Sequence, residues 1–201
     1  MKKFLFAVAI MMASTSAFAQ SQHEPGSFTI QPRIGFSAAD FNNTKDTKAR
    51  VGLVVGPEFE YTLSNRFSIA AGINYSQQGA ELDNTDIVFK NDYLTVPITA
   101  NFYVLKGFAL KAGIQPGMNL DYKLENDGKE LDTVDDLVKA FDLAVPVGLS
   151  YEFPFGLVLD ARYTLGLTKI FDEKKFQDKG FDLDSKNLTF QFTLGYKFTL
   201  F

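Results

Sequence analysis

The chain has 201 residues, no cysteine, no tryptophan, one histidine and 21 phenylalanines, with 22 % charged residues and a formal net charge of −4. Without cysteine there is no disulfide scaffold, zinc–thiolate site or thiolate nucleophile. A mean hydropathy of −0.04 excludes both a disordered chain and a helical membrane protein, and the acidic balance argues against a nucleic-acid binder.

Residues 1–19 read as a cleaved signal peptide. Lys2 and Lys3 are the positive start, Phe4 to Met12 an unbroken apolar stretch, and Ala17-Phe18-Ala19 a small-x-small cleavage site before Gln20. The apolar stretch is too short for a membrane-spanning helix, which needs about 20 residues. Without Lys2 and Lys3 the chain carries 18 basic against 24 acidic residues. His23, the one histidine, lies in the leader of the mature chain, residues 20–201.

The mature chain shows apolar residues at period two in eight stretches, the pattern of strands. The first two lie near Phe28–Phe36 and Val51–Leu63. The third sets Phe67, Ile69, Ala71, Ile73 and Tyr75 against Ser68, Gly72, Asn74 and Ser76. The fourth is near Leu94–Val104. In the fifth, Phe108, Leu110, Ala112, Ile114, Met118, Leu120 and Tyr122 alternate with Lys111, Gly113, Gln115, Gly117 and Asn119. The sixth lies near Phe141–Phe153. The seventh has Leu157, Leu159, Ala161, Tyr163, Leu165 and Leu167 on one face, and the eighth Leu188, Phe190, Phe192, Leu194, Tyr196 and Phe198. Each is about 9 to 15 residues long, suited to a tilted strand crossing a bilayer.

The links alternate in length. Those at Ser64-Asn65, Lys106-Gly107 and Pro154 are tight, whereas Ala39–Lys48, Ala80–Asn91, Lys123–Val138 and Ile170–Lys186 are long and polar. In an antiparallel ring all long links then share one end and both termini the other, as in an outer-membrane barrel of a Gram-negative cell. The expected fold is therefore all-β: an eight-stranded antiparallel up-and-down transmembrane β-barrel.

Period two alone does not say which face points inward. A soluble barrel would turn its apolar stripe in around a lipophilic ligand. Three features favour the inverse: glycines along the polar stripe, loops long at one end only, and tyrosines at both ends of the apolar stripes, with Tyr61, Tyr151 and Tyr196 at the short turns and Tyr75 and Tyr122 at the long links. On that reading the lumen receives Arg33, Lys111, Arg162 and Lys197 with Glu58, Glu60, Glu152 and Asp160. An eight-stranded lumen is only wide enough for side chains to fill it, so these charges are expected to pair and plug it. The alternative is a narrow ion path along the same charges.

The residues also carry a family likeness. Tyr75-Ser76-Gln77-Gln78-Gly79, Tyr93-Leu94-Thr95-Val96-Pro97, Arg162-Tyr163-Thr164-Leu165-Gly166-Leu167 and the closing Leu194-Gly195-Tyr196-Lys197-Phe198 resemble, in order and spacing, the PorT-like small outer-membrane β-barrel domain proteins of the Bacteroidetes. The resemblance covers nearly the whole mature chain and implies fold and location rather than an activity. Asn101 stands where that pattern often has Lys, and Gly72 where Glu is frequent. The chain runs on to Phe201, whose parity is that of the lumen stripe; Tyr196, Phe198 and Phe201 together are the expected C-terminal signal for the barrel-insertion machinery.

Catalysis is not expected: a lipid-editing barrel would need a histidine, and Glu58 and Glu60 are better explained as partners of Arg33, Lys111 or Arg162. No cofactor is called for. The acidic third link, Glu125-Asn126-Asp127-Gly128-Lys129-Glu130 through Asp135-Asp136, lacks the ordered spacing of a Ca²⁺ loop, and Asn126-Asp127-Gly128 reads as a turn. In the fourth link Phe171, Phe176 and Phe181 recur among Lys and Asp and are the candidate contacts for a protein partner. Expected partners are therefore membrane lipid, the insertion machinery and a protein at the outside links, for a monomeric, non-enzymatic barrel. The alternatives are a small channel or transport subunit, and a soluble periplasmic barrel.

Overall fold

The computed structural model describes residues 24–42, 47–82, 87–126, 129–131, 140–168 and 186–201. The signal peptide, His23 and the link residues Phe171, Phe176 and Phe181 lie outside the described residues.

Eight antiparallel staves form one closed ring. The first two are β1 (Phe28–Asn42) and β2 (Thr47–Ser64). The third is β3 (Phe67–Gly72) continued by β4 (Asn74–Leu82), and the fourth β5 (Ile87–Thr95) continued by β6 (Ile98–Leu105). The fifth is β7 (Phe108–Asn126), with a short return strand β8 (Lys129–Leu131) at its tip. Then come β9 (Phe141–Glu152), β10 (Leu157–Gly166) and β11 (Lys186–Tyr196), the last extended by β12 (Phe198–Thr199). Neighbours in sequence pair with each other, and β1 pairs with β11 from Arg33↔Gly195 to Asn42↔Lys186, so no edge is left open. Among the described residues no helix is long and apolar enough to cross a membrane.

Two staves are interrupted where proline cannot supply an N–H. Pro97 separates β5 from β6, and its carbonyl accepts from Gly72 N at 2.9 Å. Ile73 separates β3 from β4 and donates to the Pro57 carbonyl at 3.0 Å. The tight turns at the opposite end from the long links use glycine in the left-handed region, with Gly107 at φ +78° and Gly156 at φ +90°.

The apolar stripes face outward. Along β3, Phe67 is 39 % and Ile69 45 % exposed while Ser68 between them is fully buried. The same alternation holds around the ring: Ile34, Leu53, Phe102, Leu110, Leu149, Tyr163 and Phe190 are exposed, and Gln31, Glu58, Thr99, Lys111, Asp160 and Gln191 are buried. This excludes the soluble barrel with an apolar interior. On β7 the outward run from Phe108 to Leu120, at about 3.3 Å per residue and a tilt of about 40°, rises about 30 Å, the thickness of a bilayer's apolar layer.

Three expectations need correction. First, strands reach further than the apolar period: β2 has 18 residues and β7 19. They continue as polar hairpins beyond the apolar band, so the first two long links shrink to residues 43–46 and 83–86, and the third opens as a hairpin with Asn126 opposite Lys129. Second, the fifth stretch is not one uninterrupted ladder: a bulge in β7 between the pairs Asp92↔Asp121 and Tyr93↔Asn119 shifts the register, and Tyr122 pairs with Asn91. Third, Phe201 does not share the lumen face. Phe28 N donates to the Phe201 carbonyl at 2.8 Å, and Leu200 N to the Phe28 carbonyl at 2.8 Å. Two residues thus oppose one, and this bulge turns Phe201 outward to stack on Phe28 at 5.5 Å.

Ile114 is 52 % exposed midway along the β7 stripe. Ile114→Arg should destabilise the barrel in lipid vesicles by about 2–4 kcal/mol, whereas Leu105→Arg at the short-turn rim should cost about 0–1 kcal/mol. Urea unfolding followed by tyrosine fluorescence measures both, and equal costs would contradict the apolar band.

Candidate functional site

The lumen is filled by side chains in successive layers. At mid-height sits an ionic cluster drawn from four strands. Glu58 on β2 receives Arg33 of β1 at 3.1 Å, Lys111 of β7 at 2.6 Å and Arg162 of β10 at 2.5 Å. Asp160, two residues before Arg162, takes Lys111 at 2.9 Å and Arg162 Nε at 2.7 Å. All five side chains are buried.

Glycine neighbours make room for these long cations. Arg162 and Lys111 both lie opposite Gly148, where a Cβ would stand 3.0 Å from Arg162 Cγ. Arg33 lies between Gly56 and Gly195. The space beside Gly56 admits Asn74, whose Oδ1 accepts from Arg33 Nε at 3.2 Å.

A second ionic cluster sits at the short-turn mouth. Lys197 lies 2.6 Å from Glu152 and 2.9 Å from Glu60. Glu60 Oε1 also accepts from Tyr103 Oη and Ser68 Oγ, each at 2.5 Å, and Lys197 Nζ donates to Tyr103 Oη at 3.4 Å. Asn101, where the resembled pattern often has Lys, donates to Ser68 at 3.2 Å and accepts from Thr99 at 3.1 Å. The eight lumen charges therefore sort into two groups, with Glu60 on Lys197 rather than on the central cations. Sequence reasoning missed Tyr103, Asn74 and Ser68; their inward parity was their one signal.

Above the central cluster Thr189 donates to Gln78 at 3.1 Å, Gln191 and Gln78 reach Ser76 at 3.4 and 3.3 Å, and Arg50 donates to the Gln78 carbonyl. The long-link mouth holds a third network. Tyr93 Oη accepts from Asn91 at 3.2 Å and Asn187 at 3.1 Å, and Asn119 donates to Asn91. Thr168 donates to Asp142, Asn187 Nδ2 lies 3.5 Å from Asp142, and Leu143 N donates to Thr168 Oγ1 at 3.0 Å.

The remaining candidates sit at the surface. Tyr196 and Phe198 pack at 4.8 Å beside the Phe28–Phe201 stack, forming an outward aromatic corner at the short-turn rim. Among the described residues no group of three or more His, Cys, Asp or Glu side chains could hold a metal ion.

Arg162→Met would leave Glu58 and Asp160 with one fewer buried cation. It should cost about 3–5 kcal/mol in a urea unfolding titration. A loss under about 1 kcal/mol would show that the central cluster does not hold the lumen.

The fold is that of known small outer-membrane barrels. The attachment invasion locus protein Ail of Yersinia pestis superposes with a TM-score of 0.52 at 17% identity, covering 87% of this chain and 100% of that one. The same protein in complex with the heparin analogue sucrose octasulfate gives 0.54 at 19% identity, with 87% and 100% covered. OprG of Pseudomonas aeruginosa gives 0.45 at 14% identity, with 88% and 97% covered. No curated protein matches the sequence. Residues 18–172 match the family model described as outer membrane protein beta-barrel domain. With apolar stripes facing lipid around a closed ring, the chain is an outer-membrane β-barrel protein and belongs to that family.

Proposed function

We propose that this protein is a monomeric, non-enzymatic barrel with a closed lumen, exported through the cleaved signal peptide of residues 1–19, and that its long-link face serves envelope structure or an interaction. The observation that carries the reading is the central ionic cluster: Arg162, Glu58, Asp160, Lys111 and Arg33 meet across the lumen at 2.5 to 3.1 Å, which supports a plugged bore. Glu58 and Glu60 are both committed to cations, which supports a structural over a catalytic role. The four motifs from Tyr75-Ser76-Gln77-Gln78-Gly79 to Leu194-Gly195-Tyr196-Lys197-Phe198 support a PorT-like barrel of the Bacteroidetes. The outward corner of Tyr196, Phe198 and Phe201 is the proposed signal read by the insertion machinery.

Planar-bilayer recording of the refolded protein tests the closed lumen. Discrete conductance steps are not expected; stable steps would instead support a channel or transport subunit. Phe171, Phe176 and Phe181 are the proposed contacts for a partner. Changing all three to Ser should abolish co-purification of a partner from the native envelope while leaving heat-modifiable gel mobility intact, and unchanged co-purification would remove them from the interface.

A further inference from the structure

The rim at the short turns is divided by chemistry. Where the ring closes it is aromatic, with Phe28 stacked on Phe201 and Tyr196 packed on Phe198. On the other side two turns carry exposed cations: Asn65-Arg66 between β2 and β3, and Lys106-Gly107 between β6 and β7. These turns are neighbours, because β3 and β6 run side by side from Phe67↔Phe102 to Ala71↔Ile98. The Arg66 carbonyl accepts from Tyr103 N at 2.9 Å, which sets Arg66 level with a residue three before Lys106, about 10 Å away at 3.3 Å per residue.

The carboxylates of this end are turned elsewhere. Glu60 and Glu152 point inward onto Lys197, at 2.9 and 2.6 Å. Glu24 stands on the far side of β2, where Gly26 N donates to the Thr62 carbonyl at 2.8 Å. Among the described residues neither the Arg66 nor the Lys106 side chain has an ion pair. Gln20-Ser21-Gln22-His23, the mature residues before Glu24, contain no carboxylate either. The opposite rim differs, with Lys123 3.5 Å from Asp121.

Toward the bilayer centre the two cations border apolar surface. Phe67 and Phe102 form an exposed cross-strand pair, and a bulge between Tyr103 and Leu105 leaves Val104 and Leu105 both exposed, Leu105 at 70 %. We propose that Arg66 and Lys106 form a headgroup site for an anionic phospholipid of the leaflet at the short turns. Its phosphodiester would lie between the two cations and its acyl chains on Phe67, Phe102, Val104 and Leu105. The guanidinium offers paired N–H donors to phosphate oxygens, and the lysine adds a point charge. Net charge sets the lipid class: a zwitterionic headgroup brings a cation of its own to two others, whereas an anionic one does not. The proposal rests on the barrel's place in a membrane and not on a closed lumen or a partner at the long links, so its test fails independently of theirs.

The chain has no tryptophan, so one substitution supplies a single reporter. The full mature chain carrying Val104→Trp, or Leu194→Trp on the outward face of β11 across the ring, is refolded in phosphatidylcholine vesicles containing dibrominated phosphatidylglycerol or dibrominated phosphatidylcholine. Quenching then gives the relative binding constant of the two lipids at each reporter. Phosphatidylglycerol should be preferred by about fivefold or more at Val104→Trp and by less than about twofold at Leu194→Trp. Arg66→Gln combined with Lys106→Gln should bring the first value down to the second. So should about 1 M sodium chloride, which screens charges beyond about 3 Å. No preference at Val104→Trp, the same preference at both reporters, or a preference that survives the double substitution or the salt would each overturn the proposal. Heat-modifiable mobility checks the fold of each variant, and Phe67→Trp replaces Val104→Trp as reporter should the latter fail to refold.

Discussion

Pairing of every backbone polar group within the apolar layer is the constraint on which this structure rests. Lipid offers no partner to a free N–H or carbonyl, so a sheet in that layer must close on itself. The pairing of β1 with β11 and β12 achieves this, bringing Phe28 against the end of the chain at Leu200 and Phe201. Even the interruptions obey it. Around Pro57 and Pro97, where a ladder N–H is missing, the proline carbonyls accept from Ile73 and Gly72. Closure with eight staves fixes a narrow bore, and the narrow bore makes inward side chains meet across it.

That meeting decides what the interior can be. Half of each strand must face inward, and these positions hold Arg, Lys, Glu, Asp, Gln, Asn and Thr. A buried charge of either sign is tolerable only beside its opposite. Glycine supplies the space: Gly148 between Lys111 and Arg162, and Gly56 and Gly195 on either side of Arg33. Glycine enrichment of the inward stripe is thus the steric counterpart of its arginines and lysines.

Parity and link length made the fold legible in the sequence, because a strand that faces lipid on one side and side chains on the other must alternate. Strand ends were less legible. Beyond the apolar layer both faces of a hairpin are wet, so β2 and β7 run on with no alternating signal to mark them. Bulges are the second blind spot: one extra residue, as at Leu120 or Leu200, reverses the parity that follows, which is why Phe201 does not follow the stripe assigned to it. Within the lumen, parity can place a residue on the inward face but cannot name its partner. Glu58 and Arg162 are 104 residues apart, and only the curvature of the ring brings them together. Asp142 and Asn187 carry no motif, and Tyr93, which opens Tyr93-Leu94-Thr95-Val96-Pro97, looks on an inward position like ordinary filling.

The distribution of charge along the bore adds a constraint that its total does not show. At mid-height Arg33, Lys111 and Arg162 face Glu58 and Asp160, and at the short-turn mouth Lys197 faces Glu60 and Glu152. Glu58 and Glu60 are alternate residues on one strand, so the two layers are separated by about 7 Å. At an effective dielectric constant of about 20, opposite unit charges that far apart attract by about 2.4 kcal/mol. The two clusters are therefore close enough to act on each other, which couples the middle of the barrel to its short-turn end. Toward the long links the pattern changes, with the side chains of Ser76, Gln78, Thr189 and Gln191 bonded to one another and Arg50 donating to the Gln78 carbonyl.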